Sequence, residues 1–273
     1  MMDTLFAVAE KTIAITGGCG VLGGEMAAAL VRRGANVVLL DRVETPPAEL
    51  EQALQAGPGR FAFAQVNVLD QASLQEGLAA ILRQFGMLDA LINAAGGNHP
   101  DATTGPDKPF FDLPKEAMQF AVDLNILGTV LPCQVFGRQM ATAGTGNIVN
   151  ISSMNAFRPL TRIPAYSAAK AAVSNFTQWL AVHMAQEYSP EIRVNAIAPG
   201  FFLTSQNRYL LTEQGSGEPT ERGRKIMAHT PMGRFGAPPD LVGTLLWLLS
   251  PASAFVTGIV VPVDGGFSAY SGV

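Results

Sequence analysis

Short apolar runs and helix-length stretches alternate along nearly the whole chain, and no other feature constrains the fold as much. Segments 12–16 (TIAIT), 36–40 (NVVLL), 61–68, 88–93 (LDALIN), 147–151 (NIVNI), 192–198 and 259–263 read as strands. Segments 24–33, 73–85, 115–141, 165–188 and 240–249 read as helices. Strands that alternate with helices of this length form βαβ units, which place the strands parallel in one sheet. The strands are apolar throughout, as a sheet covered on both faces requires. The expectation is a single-domain α/β, Rossmann-type, doubly wound parallel sheet of about seven strands over residues 1–273. Segments 97–114 and 201–231 break the rhythm. Loops of that length are commonly functional, and both follow the carboxyl end of a strand, where open α/β sheets bind ligands.

Composition excludes several classes of partner. Of 273 residues 15% are charged, the net charge is −4, and no long basic run offers a surface to nucleic acid. No uncharged apolar run reaches the roughly 20 residues of a membrane span, and the first residues lack a secretory pattern. The two cysteines, Cys19 and Cys133, and the three histidines, His99, His183 and His229, have no metal-ligand spacing, so no metal is expected. Two distant cysteines suit a reducing, cytoplasmic setting.

The segment from Gly17 to Gly23 (GGCGVLG) lies between the first strand and the first helix. Gly18, Gly20 and Gly23 form a G-x-G-x-x-G pattern. Such glycines let backbone N–H groups approach a pyrophosphate at a helix N-terminus. The next strand ends at Asp41, where a carboxylate binds ribose hydroxyls and repels a 2′-phosphate. Two unit charges 4 Å apart repel by about 4 kcal/mol at an effective dielectric of 20. NAD is therefore expected over NADP, with NADP kept open by Arg42, a potential phosphate partner.

A second constellation carries chemistry. Tyr166 and Lys170 stand four residues apart in an alanine-rich helix, on one face. An ammonium beside a phenol is expected to lower its pKa, so that it exchanges a proton at a substrate oxygen. Ser153, at the end of the preceding strand, can hold the same oxygen.

With these pieces in view the protein resembles the classical short-chain dehydrogenase/reductase family. The matching residues are the glycine turn, Asn93-Ala94-Ala95-Gly96, Asn125, Ser153, Tyr166-x-x-x-Lys170, Pro199-Gly200 with Thr204, and Asp264-Gly265-Gly266. The resemblance implies that Tyr166 is the acid/base, Ser153 orients the carbonyl, Lys170 contacts the nicotinamide ribose, and Asn125 holds a relay water. It implies cofactor contacts at Gly17, Gly18, Gly20, Val21, Leu22, Gly23, Asp41, Arg42, Asn67, Val68, Asn93, Ala94, Ala95, Gly96, Tyr166, Lys170, Pro199, Gly200 and Thr204. It also implies a homotetramer. Two positions depart from the family pattern: Val21 replaces the middle glycine of the classical turn, and Asn67 stands where an aspartate is usual.

The loops expected to line the substrate pocket hold Asn98, His99, Asn155, Arg158, Arg162, Asn207 and Arg208. A polar set rich in arginine suits a hydroxylated acid, because a guanidinium matches a carboxylate with two parallel bonds. Ser153 joins Asn98, His99, Asn155, Arg158 and Arg208 as expected substrate contacts, with Arg158 the expected carboxylate ligand. The stretches GGNHPDATT, SSMNAFRPLTRIPAY, HTPMGRFG and GFSAYSGV resemble the D-mannonate oxidoreductases, or fructuronate reductases, of the same family. That resemblance implies a D-mannonate/D-fructuronate oxidoreductase. Dehydrogenases of another sugar, polyol or keto-gluconate share much of it, and a non-catalytic dinucleotide sensor is the alternative of another class.

Overall fold

The computed structural model describes residues 4–204 and 208–272. Seven strands form one wholly parallel sheet: β1 (Thr12–Thr16), β2 (Asn36–Asp41), β3 (Phe61–Gln65), β4 (Ala90–Asn93), β5 (Gly146–Ile151), β6 (Ile192–Pro199) and β7 (Val260–Val263). Their order is β3-β2-β1-β4-β5-β6-β7. The chain leaves β1 in one direction for β2 and β3 and in the other for β4 to β7. The order therefore reverses between β1 and β4, which is where doubly wound folds open a ligand crevice.

Among the described residues, eight α-helices connect the strands: α1 (Val21–Val31), α2 (Ala48–Gln55), α3 (Gln71–Phe85), α4 (Lys115–Ala143), α5 (Pro164–Glu187), α6 (Arg208–Leu211), α7 (Glu221–Ala228) and α8 (Val242–Leu249). Alternate side chains of a strand point to opposite faces, and the two faces pack different helices. Ile13 and Ile15 of β1, with Val37 and Leu39 of β2, pack with α1 and α8. Ala14, Val38 and Leu40 pack on the other face with α3, α4 and α5. Burial on both sides explains why the strands are apolar throughout.

The sequence reading places the strands well and the helix starts less well. The first helix begins at Val21, inside the glycine turn, three residues before the expected start. The third begins at Gln71, because Asp70 caps it by accepting from the N–H groups of Ala72 and Ser73. Helix α2 is short, buries only Leu54 fully, and was not expected. The stretch 201–231, expected as a loop, contains α6 and α7. Helix α4 is long and apolar enough by composition to cross a membrane, although Asp123 and Arg138 interrupt its apolar run. Half of its most apolar window is buried in this fold, where it packs against α3, α5, β4 and β5. Its apolar length is thus that of a core helix.

Candidate active site

The glycine turn brings three backbone segments into contact. Gly17 has φ +64°, and a Cβ there would sit 2.8 Å from Cα and N of Ala95, in the segment after β4. A Cβ on Gly23 would enter the carbonyl oxygen of Gly17. Gly20 starts α1 without a side-chain cap, so the first-turn N–H groups are left for an external acceptor. This cradle fits a dinucleotide pyrophosphate: its glycines leave room that side chains would fill, and its donors match anionic oxygens. Asp41 is built into the same turn. Its carboxylate accepts from the N–H of Cys19 (3.0 Å) and of Arg42 (2.8 Å). Arg42 is exposed beside it. Burial, and then the Asp41 charge, push the Cys19 thiol up to about 11, which keeps it protonated and unreactive near neutral pH.

The segment after β4 is fastened from both sides. The N–H groups of Ala94 and Ala95 donate to the carbonyl and hydroxyl oxygens of Thr16, at 3.1 and 3.3 Å. The carboxamide of Asn125 donates to the carbonyl of Gly97 (2.7 Å) and accepts from its N–H (3.3 Å). Thr16 ends β1 and opens the glycine turn in the sequence, and this fastening of the segment after β4 is the role that the sequence did not assign it.

Two of the expected cofactor residues have side chains engaged by the protein itself. Asn93 is 1% exposed, and its amide donates to Asn150 (2.9 Å) and Cys133 (3.2 Å). Its side chain therefore ties β4 to β5 and α4 and is withheld from the cleft. Asn67 is exposed and its oxygen accepts from the N–H of Leu69, which closes a local turn; Val68 beside it is buried.

Ser153, Tyr166 and Lys170 converge at the carboxyl end of β5. Ser153 is nearly buried, and its hydroxyl accepts from the N–H of Asn155 (3.3 Å) and hydrogen-bonds Tyr166. Tyr166 sits in the first turn of α5 and keeps some solvent access. Lys170 is one helical turn on and 4% exposed; its ammonium donates to the carbonyl of Ile151 at 2.8 Å. The nitrogen stands 5.7 Å from the Tyr166 ring centre. It also borders Gly96, where a Cβ would lie 3.2 Å from it and 2.8 Å from the Asn125 oxygen.

The electrostatics reverse one expectation. The Tyr166 pKa lies above the ordinary tyrosine value, because burial of the phenol outweighs the hydrogen bond from Ser153. The perturbed cation is Lys170, brought down to about 8 by burial. At neutral pH this cluster holds a protonated phenol beside a buried ammonium that is close to releasing its proton. A phenol held by a serine hydroxyl can give its proton to a carbonyl oxygen placed between them.

The protein belongs to the short-chain dehydrogenase family. The family model matches residues 11–215, which includes the glycine turn, Ser153, Tyr166 and Lys170. An oxidoreductase of Bacillus subtilis, itself uncharacterized, is 49% identical over 97% of this chain and 98% of its own. A Haemophilus influenzae protein solved with bound NAD, described as a candidate D-mannonate oxidoreductase, is 47% identical; it covers 98% of both chains with a TM-score of 0.90. An NAD-dependent glycerol dehydrogenase of Listeria innocua is 32% identical over 97% of both chains. The protein is thus an oxidoreductase of this family, with a single Rossmann-type sheet.

The expected substrate residues scatter more widely. Asn155 is 5% exposed, two residues after Ser153, and its buried oxygen has no partner among the described residues. The buried oxygen of Asn98 is also unpartnered, while its amide donates to Thr103 (2.8 Å). His99 accepts from the N–H of Asp101 (3.1 Å) and meets the ring of Phe120 edge-on, as a turn cap. Arg158 is exposed, and its Nε donates to the carbonyl of Ser268 in the tail (3.2 Å). Arg208 begins α6 and is exposed. Asn207 lies outside the described residues.

Pro199 and Gly200 end β6, where Gly200 packs against Asp264 so closely that a Cβ would lie 2.6 Å from its Cα. The tail folds back onto the chain. Asp264 accepts from the N–H groups of Gly266 and Ser268, and Phe267 packs on Phe201.

Proposed function

We propose that this protein is an NAD-dependent oxidoreductase that interconverts a secondary alcohol and a ketone on a hydroxylated sugar acid, D-mannonate and D-fructuronate being the leading pair. The convergence of Ser153, Tyr166 and Lys170 beside the glycine cradle carries the reaction type. The likeness to the Haemophilus protein and the polar pocket loops support the substrate class.

In reduction, the substrate carbonyl accepts hydrogen bonds from Ser153 and Tyr166, and Tyr166 passes its proton to that oxygen. Lys170 acts through charge and position, holding the phenol's surroundings polar from within a buried site. The bound nicotinamide supplies the hydride. Gly17, Gly18, Gly20, Val21, Leu22 and Gly23 hold its pyrophosphate, and Asp41 selects the unphosphorylated ribose. Ala94, Ala95, Gly96, Pro199, Gly200 and Thr204 border the cofactor. Asn125 keeps the segment after β4 in place, and the unpartnered oxygen of Asn155 offers an acceptor to a substrate hydroxyl.

Segments 97–114 and 201–231 are the substrate loops of a single catalytic domain. The protein works in the cytoplasm as a homotetramer. Exposed apolar residues on α4 and α5, among them Leu127, Trp179 and Val182, support assembly.

The test is absorbance at the reduced-nicotinamide band with NAD and a panel of D-mannonate, D-gluconate, xylitol and glycerol. Turnover with a sugar acid above that with the neutral polyols is expected. Preference for glycerol, the substrate named for the Listeria relative, would replace the sugar-acid reading with a polyol one.

A further inference from the structure

Consecutive residues at the carboxyl end of β5 each hold a different point on α5. The amide of Asn150 donates to the hydroxyl of Thr177 (2.9 Å). The carbonyl of Ile151 accepts from the Lys170 ammonium (2.8 Å). The hydroxyl of Ser152 donates to the backbone carbonyl of Lys170 (3.1 Å) and lies 2.7 Å from the hydroxyl of Ser174. Ser153 hydrogen-bonds the Tyr166 phenol. Tyr166, Lys170, Ser174 and Thr177 follow one another at helical spacing, so they form one stripe of α5. The helix runs back along the strand, and Thr177, Lys170 and Tyr166 meet Asn150, Ile151 and Ser153 in reverse order.

Two of these contacts belong to no step of the reaction. Asn150 and Ser152 share the face of β5 that carries α4 and α5, as Ile148 does. Asn150 is fully buried and Ser152 is 2% exposed. Apolar side chains would fill this space without desolvating an amide and a hydroxyl, groups that cost about 1–3 kcal/mol each where they lack a partner. Apolar packing, however, lets a helix roll or slide a little, whereas a satisfied buried network specifies one arrangement. This network is satisfied on both sides. The oxygen of Asn150 accepts from Asn93 of β4 (2.9 Å), and Thr177 donates onward to the carbonyl of Val173 (2.8 Å).

We infer that Ser152, paired with Ser174 and backed by Asn150 and Thr177, is a positioning residue for the reaction: it sets where α5 lies against β5, and so where Tyr166 and Lys170 stand relative to Ser153. Lys170 is the pivot, because the end of β5 holds both its ammonium, through Ile151, and its carbonyl, through Ser152. Tyr166 lies one turn before it, and a roll of the helix at Lys170 carries the phenol along. The inference rests on the catalytic roles proposed for Ser153, Tyr166 and Lys170, and adds to them a group that acts through α5.

The experiment compares full-length Ser152→Ala, Ser174→Ala and Ser174→Thr with wild type. Ser253→Ala is the control for losing a buried hydroxyl elsewhere: Ser253 is fully buried and donates to the carbonyls of Trp247 and Leu248. Rates are measured with NAD and the best-used compound of the panel of sugar acids and polyols, and NAD calorimetry counts the folded sites. A misplacement of about 1 Å can cost about a hundredfold in rate, so kcat in Ser152→Ala should fall about tenfold to a hundredfold. KM should stay within about twofold, the pattern of an interaction lost only in the transition state. Ser174→Ala should lose about threefold, the low end for one hydrogen bond, and Ser174→Thr, which keeps the hydroxyl, should match wild type. Ser253→Ala should lower the melting temperature and leave kcat per NAD-binding site unchanged. A crystal structure of Ser152→Ala with NAD should show the phenol moved away from Ser153. Unchanged kcat in Ser152→Ala, or a loss confined to KM or to melting temperature, overturns the inference, as does a phenol still seated on Ser153. If Ser152→Ala does not fold, equal kcat in Ser174→Ala and Ser174→Thr overturns it, and if no panel compound is turned over, the crystal position of the phenol decides. Tyr166→Phe is run alongside. Turnover retained there defeats the catalytic assignment, whereas an inactive Tyr166→Phe beside a fully active Ser152→Ala defeats this inference alone.

Discussion

The cofactor side and the substrate side of the cleft are built from different materials. On the cofactor side, backbone meets backbone: Gly17 against Ala95, Gly23 against Gly17, the N–H of Cys19 on Asp41. Every participant lies at the carboxyl end of a strand or in the turn that follows one. On the substrate side, side chains and loops reach across long stretches of sequence. Thr104 binds the carbonyl of Arg162, Arg158 reaches Ser268, and Phe201 meets Phe267. The first construction tolerates few changes because small residues and close backbone leave no slack. The second can be rebuilt residue by residue, which suits one fold that serves relatives acting on different alcohols.

The comparison breaks most sharply at Tyr166, where the two sides share one oxygen. Tyr166→Phe keeps the ring and removes the proton. Turnover should fall about a hundredfold to ten-thousandfold, the usual contribution of a positioned acid, while calorimetric affinity for NAD stays within about twofold. Substantial turnover in the variant would remove the phenol from the reaction.

Lys170 gives the next largest effect, read as stability against pH. Burial brings its pKa from 10.5 to about 8. Between these values the unfolded chain holds more protons than the folded one, so this group adds stability as pH rises through the interval. Below about pH 8 the ammonium stays charged in both states, and its burial opposes folding by about 3 kcal/mol at 1.36 kcal/mol per pKa unit. Lys170→Met should therefore look more favourable relative to wild type at pH 7 than at pH 10. Comparing the two pH values cancels the cost of leaving the Ile151 carbonyl without its donor. Chemical denaturation at both values tests it, and a pH-independent difference would mean that Lys170 titrates normally.

Asp41 comes third. Asp41→Asn removes the charge that repels a 2′-phosphate and keeps an acceptor for one of the two N–H groups, since Cys19 and Arg42 donate to different oxygens of the carboxylate. The ratio of kcat/KM for NAD to that for NADP should narrow by about tenfold, a modest fraction of the roughly 4 kcal/mol repulsion at an effective dielectric of 20. An unchanged ratio would place selection elsewhere, with Arg42 the first position to substitute.

These expectations differ in how much of their basis could be read from the sequence. Strands β1 to β7, the glycine turn and the Ser153, Tyr166 and Lys170 set were legible, since each is marked by local pattern or by spacing within one helix. The pKa reversal was not. Spacing puts an ammonium beside a phenol but says nothing of how deeply either is buried, and burial dominates both groups. Helices α6 and α7 were hidden because 201–231 is polar and has no apolar stripe. The inward turn of Asn93 was hidden too, because a strand-end asparagine looks the same whether it faces the cleft or the neighbouring strand.

Arg158 should give the smallest effect, and it separates the two constructions within the substrate side itself. Its loop position beside Ser153 makes it the natural carboxylate ligand by sequence, and its hydrogen bond to Ser268 makes it a tether for the tail. An exposed hydrogen bond of this kind contributes about 0.5–1.5 kcal/mol. In a protein of this size that corresponds to a Tm lower by about 1–5 °C in Arg158→Ala. If tethering is its whole role, kcat/KM should fall less than about threefold, and equally for a sugar acid and a neutral polyol, because loosening the tail disturbs the wall without touching the charge. Melting curves together with paired kinetics on the two substrates measure both parts. A loss of tenfold or more confined to the acid would make Arg158 a carboxylate ligand as well as a tether.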